Sequence, residues 1–189
     1  MACRPNIDNI RKSCDKGGNA AGVRGTVRLA FVEDIQSIPD PDVNTYVISS
    51  DIVMVPDTRP IAEQGTGDPV PGTFNEWECS EIGSNYSFTE EGEAEDGFGV
   101  HTLTMFLPRM SAAKNKILDE ARGGKEFVTS HNDRNEIPWL MGNLNGGATV
   151  VATPGTDING RNGYNVVISW RAAQLLYRYN GAFSIEADV

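Results

Sequence analysis

Two histidines, three cysteines, a run of acids and three tryptophans are the residues here whose types could do chemistry. His101 and His131 could act as general acid or base if a nucleophile or second titrating group stood beside them. His101 falls in the alternating run FGVHTLTMFLP, and His131 opens the polar stretch HNDRNEIPW, which reads as a turn. Neither adjoins a nucleophile motif, so both are expected to be structural or solvated. The sequence carries no GxSxG, GxxxxGK[ST] or HExxH pattern. Cys3, Cys14 and Cys79 are an odd set with no C-x2-C pair, so free thiols are expected rather than a disulfide framework or a zinc site. Glu90, Glu91, Glu93, Glu95 and Asp96 crowd seven residues but lack the spaced oxygens and turn glycine of a calcium loop. A solvated hairpin tip fits them better. No catalytic, cofactor or metal residue is expected, and the chain does not read as an enzyme.

The elements that would hold these residues are mostly strands. From Asn132 to Tyr179, short apolar runs alternate with clusters of Gly, Asn, Asp and Pro, the pattern of successive strands and tight turns. Tyr164, Val166, Ile168 and Trp170 lie on one face of the last run, so Trp170 is expected in the core. Asn145-Gly146, Asn159-Gly160 and Asn162-Gly163 are hairpin signals. Earlier strands are expected from Thr26 (Val27, Leu29 and Phe31 on one side), over Thr45 to Met54, in FNEWECSEI and NYSFTEE, and in the segment of His101, Leu103, Met105 and Leu107. One helix is signalled between Ser111, which can cap it, and Gly123-Gly124, with Ala113, Ile117, Leu118 and Ala121 as its packing stripe.

Two segments lack any core-forming period. Residues 1–24 read as an arm with the hinge GGNAAG, and Pro56–Thr73 as a long Pro/Gly-rich loop. The rest, 25–189, reads as one β-rich domain, long enough to bury a core. Both irregular segments are expected to order against neighbouring subunits.

Sixteen Lys and Arg against 26 Asp and Glu give a net charge of −10. That excludes a protein which wraps nucleic acid through phosphate contacts, yet suits a wall past which DNA slides. No apolar run approaches the ~20 residues of a membrane helix, and the first residues lack the apolar centre of a signal peptide. Folding in the cytoplasm is the expectation.

The order Cys3, Cys14, Gly17-Gly18 and a strand, then a helix, HNDRNEIPWLMGNLNGG and GTDINGRNGYNVVISW, resembles tail-associated virion proteins of phages infecting Bacteroidetes-type hosts. The aspartate-x-asparagine-glycine stretch before a Tyr-led strand is the most specific part. The polar turn DRNEIPW departs from it in having no glycine. The resemblance implies a phage tail tube subunit: a β-sandwich or barrel-like fold with one flanking helix, self-associating into stacked rings. DNA would pass through the lumen without specific binding, other tail or neck proteins would meet the ends, and the protein would reside in the virion. A head–tail connector, tail terminator or capsid decoration protein is the alternative. From a different class, a carbohydrate-binding β-sandwich would use Trp77, Trp139 or Trp170 as a stacking platform.

Overall fold

The structure, a computed structural model, describes residues 23–56, 72–91, 97–157 and 160–185. In chain order its strands are β1 (Val23–Phe31), β2 (Ile35–Ser37), β3 (Val47–Ile48), β4 (Val53–Met54), β5 (Asn75–Glu78), β6 (Ser80–Glu91) and β7 (Phe98–Pro108). Helix α1 (Ala112–Ala121) follows, then β8 (Phe127–Asp133), β9 (Pro138–Met141), β10 (Thr149–Thr156), β11 (Asn162–Ala172) and β12 (Tyr177–Tyr179). A 3-10 turn, Val32–Asp34, separates β1 from β2.

Alternation builds the central strands. β7 buries His101, Leu103, Met105 and Leu107, and β11 buries Tyr164, Val166, Ile168 and Trp170 on the same side, with Ile168 opposite Leu103. These strands lie in a four-stranded antiparallel sheet of order β10-β11-β7-β6. It packs on a six-stranded sheet of order β3-β12-β9-β8-β1-β5, where β12 and β3 are parallel. Val27, Leu29, Phe127 and Met141 of the six-stranded sheet meet the β7 and β11 side chains in one core. Its other face buries Ala30, Val128, Leu140 and Tyr179 in a second core with Ile35, Ile48 and Phe74. Burying a side chain such as Ile168 contributes about 1.5–3 kcal/mol, whereas an exposed ion pair such as Lys125–Glu33 is screened by water and contributes little. The two cores, rather than the surface charges, therefore hold the fold.

The mainly β sandwich with one helix is as the sequence indicates; the sheets do not close into a barrel. Helix α1 also matches: the Ser111 side chain accepts from the Lys114 N–H at 3.2 Å. Other expectations need correction. Val23 and Arg24, assigned to the arm, already belong to β1, where Val23 is buried; residues 1–22, with Cys3 and Cys14, lie outside the described residues. So does 57–71, nearly all of the long loop. The expected strand over 45–54 is two short pieces, because Tyr46 turns through a positive φ of 57° and the Asp42 carboxylate holds the Asn44 and Thr45 amides. FNEWECSEI divides at Cys79, and Gly83 (φ 85°) sits in an irregularity within β6 instead of separating two strands. Ile117 is 49% exposed, so only Leu118 and Ala121 of the proposed stripe are seen in the core.

Asn162-Gly163 is no hairpin turn. Both residues are in β11, where a Cβ on Gly163 would lie 2.2 Å from the Leu107 carbonyl oxygen, so close approach of β7 requires glycine. The turn itself uses Gly160 at φ 74°, closed by hydrogen bonds between Asp157 and Arg161. The turn after β8 manages without glycine because Glu136 takes φ 64° and Asp133 Oδ1 accepts from the Asn135 and Ile137 amides.

Candidate functional site

His101 is fully buried beneath the four-stranded sheet. Its Nε2 lies 2.8 Å from the Gln174 carbonyl, which can only accept, so Nε2 carries the proton. Nδ1 is left as acceptor for the Tyr86 hydroxyl at 2.7 Å. The ring is thus held neutral in one tautomer, packed against Trp170 and Phe88 at 5.1 and 4.6 Å between ring centres. Desolvation lowers its pKa and pushes the Tyr86 phenol up to about 12.

His131 lies within β8, not in a turn. It stacks on Tyr86 at 5.3 Å, its Nδ1 has no partner, and burial pushes its pKa down to about 4, opposed by Asp133. Thr129 and Ser130 beside it are fully buried with unpaired hydroxyls. Water and substrate have no access to these groups, so the histidine pair is a polar piece of the core.

Cys79 is buried, points at the Arg24 carbonyl at 3.6 Å, and has its pKa raised by desolvation. A protonated buried thiol is a poor nucleophile. Trp170 is buried and donates Nε1–H to the Gly146 carbonyl; Trp139 is half-buried and tied to Asp133. Trp77 faces a cleft of about 1000 Å³ between β5, α1 and the end of β7. The three indoles do not combine into one platform. Glu90 and Glu91 are exposed at the end of β6; Glu93, Glu95 and Asp96 lie outside the described residues. Among the described residues no group of three or more His, Cys, Asp or Glu side chains could hold a metal ion, and no helix is long and apolar enough to cross a membrane.

The surface that sequence reading missed is the outer face of the four-stranded sheet. Cross-strand register sets Thr149, Ser169, Thr102 and Ser87 in one row and Val151, Val167, Thr104 and Asn85 in the next. Thr153 and Asn165 extend it on one side, Val100 and Thr89 on the other. In a chain with 22% charged residues these twelve positions carry no charge. Arg171, at the margin, pairs with Glu91 at 3.4 Å. Among the described residues β10 and β6 are the two terminal strands of this sheet, each paired within it on one side only. All eight residues of β10 are uncharged, and Val151 is 57% exposed.

Comparisons with protein-family models, with curated proteins and with solved structures return no match. The functional reading therefore rests on the chain's own surfaces.

Proposed function

We propose that this chain is a structural subunit that joins copies of itself side by side through the four-stranded sheet, as a phage tail tube protein does in forming rings. The supporting observation is the pair of free edges, β10 and β6. Exposed sheet edges invite pairing with other chains, and proteins that stay monomeric usually blunt them with lysine, bulges or a cover. β10 carries no charge and is blunted by Pro154 and the neighbouring helix α1, while β6 carries Glu81, Glu90 and Glu91 and an irregularity between Ser80 and Asn85.

Direction matters as much as exposure. β6, β7, β11 and β10 are linked by three antiparallel pairings, so β10 runs opposite to β6. A copy related by rotation can then lay its β6 against β10 with antiparallel pairing continued. Each copy adds four strands, and a closed ring leaves none of these edges free. The net charge of −10 suits such a ring to passing DNA without binding it. On this reading the ring is assembled in the host cytoplasm, meets other tail or neck proteins at its ends and resides in the virion. A connector, terminator or decoration ring would use the same edges and stop at one layer.

The test is the Val151→Lys/Thr153→Lys variant, which puts two cations on the exposed side chains of β10. Light scattering after size exclusion should show oligomers for the unaltered chain and monomers for the variant, with the same β circular dichroism. Oligomers of equal mass from both proteins would refute the edge contact.

A further inference from the structure

The cleft between β5, α1 and the end of β7 takes no part in the edge pairing proposed above. At about 1000 Å³ it has the size of a ligand site, roughly 300–1000 Å³ in most proteins. Trp77, Leu107, Ile117 and Leu118 give it an apolar lining drawn from three elements. Leu107 and Leu118 are buried, whereas Ile117 is 49% exposed, so the lining is open to a small molecule. The helical wall is fixed in place. The Tyr164 hydroxyl of β11 donates to Asn115 Oδ1 and accepts from the Ser111 N–H at 3.3 Å, which ties the start of α1 to the sheet. A wall held in this way costs little to order when a ligand binds.

Its charges are unevenly matched. Glu76 is held by Arg28 at 2.7 Å, and Arg161 by Asp157 and by the Ser80 hydroxyl at 2.8 Å. Further along α1, Lys116 pairs with Glu120 and Arg122 with Asp119. Arg109 and Lys114 have no carboxylate partner among the described residues. The Lys114 ammonium donates to the Pro108 carbonyl at 2.6 Å, which holds it at the junction of β7 and α1. Arg109 takes a positive φ of 64°, uncommon for a residue with a side chain, and its N–H donates to the Asn162 carbonyl at 3.0 Å. Two cations without carboxylates beside an apolar lining, in a chain of net charge −10, fit an anionic ligand.

We propose that this cleft binds a small aryl carboxylate, its ring against Trp77 and Ile117 and its carboxylate at Arg109 and Lys114. The indole favours a flat aromatic body, since ring pairs gain beyond the area that they bury. Arg109 offers a planar fork of donors that matches a carboxylate. Glu78, on the β5 side of the cleft, repels a second negative charge and so selects a ligand charged at one end only. The cations lie near the surface, so binding weakens as ionic strength rises. Every named group belongs to one copy, so the site does not depend on the side-by-side contact.

The test is isothermal titration of the full chain, at neutral pH and low salt, with cinnamate and with its uncharged counterpart, cinnamyl alcohol. Cinnamate should bind one molecule per chain, roughly tenfold or more tightly than the alcohol, as loss of a hydrogen bond to a charged group implies. Arg109→Gln/Lys114→Gln should weaken cinnamate to the level of the alcohol and leave the alcohol unchanged. Ile117→Glu, at an exposed position where folding is not at risk, should abolish cinnamate binding. No saturable binding of cinnamate, or equal affinity for acid and alcohol, would overturn the proposal on the unaltered chain alone. So would either variant binding cinnamate as tightly as the unaltered chain.

Discussion

At the scale of single residues, His131 shows how a strand centre can pass for a turn. Its neighbours Asn132, Asp133 and Arg134 are turn formers by composition. Yet β8 lies between β9 and β1 in a sheet covered on both faces, so Phe127 through His131 are all buried and no alternation survives to be read. His101, with one buried face, was legible from its spacing. The depressed pKa of His131 has a consequence for pH. The folded chain holds it neutral down to about 4, whereas an unfolded histidine titrates near 6.5. The unfolded state therefore binds more protons between these values, and stability is present above 6.5 and lost as pH falls toward 4. The full swing is about 3 kcal/mol. The stability difference between the unaltered chain and His131→Phe, from urea unfolding at pH 7 and pH 4, should move by about that amount in the variant's favour on acidification; a constant difference would refute it. Gly163→Ala should destabilise by about 1–3 kcal/mol through overpacking against the Leu107 carbonyl, and an unchanged urea midpoint would refute the close approach.

At the scale of elements, the helix was the most legible piece because its signals are local. Ser111 caps it and Gly124, at φ 77°, follows it. Ser111→Ala should cost about 1 kcal/mol in thermal unfolding, while Ser111→Asp should keep nearly full stability. Equal losses in both would show that the cap hydrogen bond is not the cause. The strands were legible in character but less so in number and at their ends: β2 was not read, and the expected strand over 45–54 is the two pieces β3 and β4. β5 and β6 part at Cys79, where the chain passes from the six-stranded to the four-stranded sheet, and no local residue pattern marks that passage. Ile117 falls at helical spacing with Ala121 yet faces the cleft, because a partner's shape, not periodicity, decides which edge of a stripe is covered. β10 was read as an apolar run, and its place at the sheet's margin depends on β11 and β7 pairing beyond it.

At the scale of the whole molecule, a mainly β sandwich was legible from alternation and turn residues, whereas strand order was not. β1 pairs with β8 and β5, and β3 with β12, across long stretches of chain whose partners are chosen by the joint fit of two buried faces. The uncharged outer face exists only in that order, since its two rows draw on four strands from Asn85 to Ser169. On the proposed reading copies join through the edges of this sheet, and the net charge of −10 suits a particle past which nucleic acid slides without binding. Electron microscopy of the purified full chain at increasing concentration tests this most directly. The expected result is rings of constant diameter, alone or stacked, with β10 of each copy beside β6 of its neighbour in the averaged map. Single-copy particles at every concentration, or rings joined by any other surface, would contradict it.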